Sequence, residues 1–141
     1  MTNKGFRGYC SPNEFGGYKI PIPMQNTLYR EYVSKNNLVF MLSINELYFK
    51  DCFIQLHDLI LKSTSLKGIL MCSMFMMPQD KEYRRYLFNE SIKNDTEIHF
   101  ILENIVFKNK NDISFLDETF DLNSVVNNIL PINDFKKILV E

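Results

Sequence analysis

The chain has 141 residues, 45% of them apolar and 23% charged, and a net charge of −1. That composition suits a single domain with a real core, and it lacks the surplus of Lys and Arg that phosphate-tracking nucleic-acid binders carry. The longest apolar candidate, Gly68–Pro78, falls far short of the roughly 18–20 residues that cross a bilayer.

Met1-Thr2-Asn3-Lys4 runs into Gly5–Tyr9 without a long apolar stretch, which argues against a secretory signal. Cys10, Cys52 and Cys72 are odd in number and show no C-x-x-C spacing, so neither a disulfide framework nor a zinc ribbon is expected. Together these features point to a cytoplasmic protein with no bound metal or cofactor.

In chain order, Gly5–Cys10 reads as a first strand. Ser11–Pro21 is loop chemistry, with Pro12, Gly16, Gly17 and Pro21. Pro23 suits the first turn of a helix, where its missing N–H costs nothing. That helix should run to about Asn36, with Leu28, Tyr29, Tyr32 and Val33 inward. Leu38–Leu42 is unbroken apolar sequence, as expected of a strand covered on both faces, and Ser43–Asp51 reads as a loop. Helical spacing of Phe53, Leu56, Leu59 and Ile60 predicts a helix over Cys52–Lys62.

Lys67–Cys72 is a third strand. Gln79–Asn94 is a charged amphipathic helix with Tyr83, Tyr86 and Leu87 inward, and Glu97–Leu102 is a fourth strand. Ile105–Phe107 is a candidate fifth strand, and helices are expected over Leu116–Leu130 and Ile132–Val140. Strictly alternating strands and helices imply a mainly parallel α/β sheet of four to five strands in three layers, with right-handed crossovers. The class is flavodoxin-like. Residues 1–110 would form the α/β domain and 111–141 a helical extension packed on it. Open sheet edges need cover, which makes a homo-oligomer an expectation.

Ligands of such sheets bind outside the carboxyl ends of the strands. Ser11, Ser43, Ser73 and Glu103 stand at those predicted ends, about 30 residues apart, one strand–helix unit each. They are expected to converge on one rim, although serine also follows strands simply as a cap or turn. Gly16-Gly17 permits close backbone approach or unusual φ angles. The next helix N-terminus offers free N–H groups for an anion. Gln25 lies on the inward stripe at the end nearest the rim, and Asn26 with Arg30 forms a candidate anion clamp. Arg30 could equally be a surface charge.

Glu103 and Glu46 are the candidate acid–base carboxylates, with a solvated loop charge the alternative for Glu46. His57 and His99 read as structural. Cys10 has no base assigned to it, and Met74, Met76 and Met77 read as a pocket wall. No G-x-G-x-x-G or Walker pattern is present.

Several segments together resemble the sporadic carbohydrate cluster protein family. These are Arg7-Gly8-Tyr9, Phe15-Gly16-Gly17-Tyr18-Lys19-Ile20-Pro21, Gln25-Asn26, Arg30-Glu31-Tyr32, Leu42-Ser43 with Glu46, Gly68-Ile69, Ser73–Pro78, and His99-Phe100 with Glu103. The resemblance covers about residues 5–105. It implies a place in bacterial O-antigen, capsule or related surface-glycan synthesis, a pathway rather than a reaction. In that reading Ser11, Glu46 and Glu103 are catalytic. Arg7, Gly16, Gly17, Gln25, Asn26, Arg30, Ser43, Ser73 and Met77 bind a sugar or nucleotide-sugar. The alternative is a noncatalytic accessory protein partnered with a glycan enzyme. Neither version involves a nucleic acid or a membrane span.

A more distant likeness concerns the fold and implies a resolvase-like form of this sheet. Tyr9-Cys10-Ser11, Gln25, the helix segment Tyr32–Asn37, and a third strand leading to an Arg-containing helix resemble the catalytic domain of serine recombinases. This implies Ser11 as nucleophile. That family's Asp-Arg-Leu-x-Arg segment should follow the third strand, where Met76-Met77-Pro78-Gln79-Asp80 stands instead. Without those arginines a scissile phosphate has no charge clamp. On the sequence, recombinase-like phosphodiester chemistry is therefore the remote alternative, and it predicts salt-sensitive DNA retention.

Overall fold

The computed structural model describes residues 4–129. Five strands and four helices follow in the order β1 (Phe6–Cys10), α1 (Ile22–Lys35), β2 (Phe40–Asn45), α2 (Ile54–Leu61), β3 (Gly68–Met71), α3 (Lys81–Lys93), β4 (Glu97–Phe100), β5 (Ile105–Phe107) and α4 (Asn111–Ile129). The strand order across the sheet is β2-β1-β3-β4-β5. β1 to β4 pair in parallel, and β5 runs antiparallel to β4. The mainly parallel α/β class expected from alternation is the observed one.

The period of two along β1 separates the layers. Gly8 lies beneath the Tyr29 ring of α1, and Cys10 meets Asn26 of the same helix. Tyr9, between them, points to the other face and reaches Glu46 beside the start of α2. α1 thus covers one face, while α2 and α3 cover the other, where His57 and Tyr83 join them. β3 is buried at every residue. Phe88 of α3 lies 4.3 Å from the Phe107 ring of β5, a contact type that adds about 1 kcal/mol beyond burial.

Local chemistry explains the helix ends. α1 has Pro23 in its first turn and stops at Asn36, with Asn37 at a left-handed φ of 55°. Asp80 caps α3 through the Glu82 N–H at 3.1 Å. α4 starts five residues before the predicted Leu116, because Asp112 Oδ2 accepts the Lys108 and Asn109 N–H groups ahead of it. The helix expected over Ile132–Val140 lies outside the described residues.

Two expectations for the second strand are corrected. β2 extends to Asn45, so Ser43 and Ile44 belong to the strand. It is also an edge strand, with Leu42 81% exposed, and is not covered on both faces. Its register explains the extension. Arg7 opposes Met41 but Tyr9 opposes Ile44, so a β-bulge places Leu42 and Ser43 against Gly8. No described helix is long and apolar enough to cross a membrane.

Candidate functional site

Strand order reverses direction between β1 and β3, since β2 follows β1 on one side and β3 lies on the other. The crevice outside the carboxyl ends of these two strands is where open α/β sheets bind ligands. A cleft of about 560 Å³ opens there, lined by Ser11, Phe15, Lys19, Tyr48, Lys50 and Met77 among others.

Ser11 follows β1 directly and is 8% exposed. Its N–H donates to Gln25 Oε1 at 3.0 Å, and Gln25 Nε2 donates to Ser11 O and to Ile20 O, each at 2.7 Å. Gln25 faces inward at the rim, as its stripe position suggested, but the loop backbone takes up its amide. It is a positioning residue for Ser11. The Ser11 hydroxyl oxygen accepts the Asn13 N–H at 3.2 Å.

The strand registers place Ser73 at the level of Ser11 across the switch point. Glu103 joins this row by accepting the Met74 N–H, while Ser73 Oγ accepts the Phe75 N–H at 3.2 Å. Ser43 does not join it. The bulge leaves Ser43 inside β2, its hydroxyl buried without a partner among the described residues and facing the space above Gly8. Glu46 stands at the rim instead, its N–H donating to Cys10 O at 2.8 Å.

Glu46 is 4% exposed. Oε1 accepts from Tyr9 Oη at 2.9 Å and Leu56 N at 3.2 Å, and Oε2 from Leu47 N at 3.0 Å. The Gln55 N–H points at both oxygens, and Cys52 Sγ donates to Oε2 at 3.6 Å. A carboxylate so occupied neutralises the N-terminal amides of α2. Its lone pairs are committed to the fold.

Gly16 and Gly17 carry φ values of 58° and 82° between the paired Phe15 and Tyr18. This is the two-residue primed turn of a tight hairpin, which accounts for both glycines without a ligand. A Cβ on Gly16 would also come within 3.0 Å of the Phe75 ring.

Asn26 and Arg30 do not form a clamp. Asn26 Oδ1 accepts from Cys10 Sγ at 3.6 Å, and Arg30 lies exposed on α1. Arg7 sits within β1 opposite Met41 and Ile69, well before the strand's end. Met77 is buried in the cleft wall. His57 bonds Tyr83 through Nδ1 at 3.0 Å, and His99 bonds Glu97 and Tyr32.

The sequence reading placed Tyr29 inward but missed its role: its hydroxyl donates to Tyr9 O and accepts the Cys72 N–H at 3.1 Å, tying β1 to β3 at the switch point. Burial pushes this phenol well above its ordinary range and keeps it protonated. It also missed Lys19 and Lys50, the cations of the cleft, which Glu14 and Asp51 offset. No arginine lines the cleft among the described residues. Arg84 and Arg85 are both engaged by Asp117 of α4. The described residues hold no group of His, Cys, Asp and Glu suited to a metal ion.

No family model matches the chain, and no curated protein matches it. Two of the solved structures that share its fold are the following. One is a resolvase family site-specific recombinase from Streptococcus pneumoniae, 10% identical, with a TM-score of 0.63 over 98% of this chain and 99% of that one. The other is the N-terminal catalytic domain of TP901-1 integrase, 16% identical, with a TM-score of 0.62 over 96% and 98%. At such identity the likeness establishes a resolvase-like fold.

These neighbours overturn the expected role in carbohydrate synthesis, with its lipopolysaccharide and capsule associations. No comparison supports the carbohydrate-cluster family, and both neighbours are a recombinase or an integrase domain. They equally overturn the expectation of no nucleic-acid partner.

Proposed function

We propose that this chain is a domain directed at the nucleic-acid backbone, with Ser11 in the position of the attacking nucleophile. The observation that carries the reading is the placement of Ser11. It stands at the carboxyl end of β1, at the switch point, held by Gln25 and open to the cleft. The resolvase-like fold of the two solved neighbours supports the same assignment.

In such a step Ser11 Oγ bonds to a backbone phosphorus and the bond to one sugar oxygen breaks. The serine proton leaves to solvent, and the departing oxygen takes one back. Two lysines offset by two carboxylates make a weak clamp for that charge. The domain acting alone therefore binds DNA weakly and turns it over slowly, unless a partner chain brings further cations. In the same reading residues 1–110 are the acting unit and 111–141 an extension, of which α4 is held to that unit through Asp117.

Retention of a duplex at low ionic strength, followed against salt, tests the binding. Lys19 and Lys50 give a logarithmic slope of about −2. Mass spectrometry of the incubated protein tests the chemistry, as a phosphodiester-derived adduct on Ser11 that Ser11→Ala abolishes. A chain that ignores DNA at low salt overturns the proposal.

A further inference from the structure

The loop between β2 and α2 exposes an unusual amount of aromatic surface. Tyr48 is 70% exposed and Phe49 66%. Large side chains left in water on a small domain mark an interaction surface. They do not serve the loop's own fold, whose backbone is closed by Phe49 N–H to Leu47 O at 2.9 Å and Cys52 N–H to Phe49 O at 3.3 Å.

Cations are interleaved with these rings. The Lys19 ammonium lies 5.7 Å from the Tyr48 centroid, and Lys50 follows Phe49 directly. Tyr48, Phe49 and both lysines line the same cleft as Ser11. The nearby start of α2 offers no alternative anion site, because Glu46 already occupies its amides.

We infer that this platform binds single-stranded nucleic acid, with unpaired bases stacked on Tyr48 and Phe49 and the adjoining phosphates on Lys19 and Lys50. Stacking on aromatic faces beside a cationic track is the chemistry by which single strands are held without sequence preference. A second copy of this chain is the poorer fit, since Glu14 and Asp51 stand among the lysines at the cleft and would be stripped of water in a closed apolar interface. The inference rests on the reading of the cleft as directed at nucleic acid, and goes beyond it by assigning unpaired bases to a particular loop.

The test is fluorescence anisotropy of a labelled oligothymidylate of about eight nucleotides, beside a duplex of the same length, at low ionic strength. Tyr48→Ala and Phe49→Ala should each weaken oligothymidylate binding about tenfold and leave duplex binding and the urea midpoint unchanged. Unchanged oligothymidylate affinity in both aromatic variants overturns the inference. Duplex binding without oligothymidylate binding by the parent overturns it too, and leaves the proposed function standing. If neither probe binds, both fall. A dimer that dissociates in the aromatic variants at unchanged oligothymidylate affinity assigns the platform to a second copy instead.

Discussion

Gln25 grips Ser11 by both sides of its peptide: the Ser11 N–H donates to Oε1 at 3.0 Å, and Nε2 donates to the Ser11 carbonyl at 2.7 Å. A side-chain amide thus imitates a neighbouring strand just where β1 runs out. Gln25 has no measurable exposure, so water cannot replace it. Gln25→Leu keeps the volume but strands the buried N–H and carbonyl of Ser11 and the part-buried Ile20 carbonyl, at a cost of about 2–3 kcal/mol. Urea unfolding should show that loss, and amide exchange at Ser11 should accelerate. An unchanged midpoint with unchanged exchange would refute the assignment.

Glu46 makes a parallel case on the other face of the sheet. Gln in its place turns an NH2 toward N–H donors that need an acceptor. Glu46→Gln should destabilise by about 2 kcal/mol, whereas Tyr9→Phe, which removes one donor among several, should cost about 1 kcal/mol. The order of the two urea midpoints is the check. A harmless Glu46→Gln would show that this carboxylate is not the anchor of α2.

Thiol reactivity should follow burial. Burial pushes the Cys10 thiol up to about 12 and also raises Cys72, and thiolate is the reactive form. Both side chains are without exposure, whereas Cys52 is half-buried. Iodoacetamide on the native protein at mildly alkaline pH should label Cys52 and spare the other two until urea is added, as read by peptide mass spectrometry. Rapid native labelling of Cys10 would contradict its packing under Asn26 and Tyr29.

Acid should weaken the fold in two stages. Burial pulls His99 below its ordinary value, against the opposing pull of Glu97. The unfolded chain therefore takes up a proton on this residue first, and stability falls as pH drops through about 6.5. Burial pushes Glu97 and Asp117 upward, but His99 with Lys108 and Lys67, and Arg84 with Arg85, more than offset it and leave both lowered. Their contribution is present above about pH 4 and lost as pH falls through the folded values. Urea midpoints across pH should show both stages, and His99→Gln should remove the upper one and also shrink the Glu97 share of the lower, leaving that of Asp117.

The alternation that makes a parallel sheet was legible because Leu38–Leu42 and β3 are unbroken apolar runs and α1 carries an apolar stripe at helical spacing. Ser11 and Ser73 were legible as strand-end residues for the same reason. Ser43 was misplaced because a β-bulge shifts register without any compositional mark. The roles of Gln25, Tyr29 and Glu46 depend on which backbone groups lie unpaired at the rim, and this is known only once three strands are assembled. Tyr48-Phe49-Lys50 did leave a signal, an aromatic pair beside a lysine in a loop, which strand-end logic passed over.

Arg84 offers the sharpest energetic test. Its guanidinium is about as buried as a charge can be, with its side chain 2% exposed and that of Asp117 4% exposed. Nη2 reaches Asp117 Oδ1 at 2.8 Å, Nη1 donates to Pro78 O and Gln79 O, and the Phe120 ring lies 3.8 Å away. Arg85 shares Asp117 at 2.7 Å but is half exposed, so its pairing contributes little. Asp117→Asn leaves Arg84 charged and uncompensated, which should cost about 3 kcal/mol and loosen α4. Removing both charges is a different experiment. Arg84→Met with Asp117→Leu replaces the pair by packing of similar volume, and it should recover most of that loss. Three urea curves decide it. If the double variant is no better than Asp117→Asn alone, the guanidinium holds α4 through its carbonyl and ring contacts, and neutralising the stranded charge is not what matters.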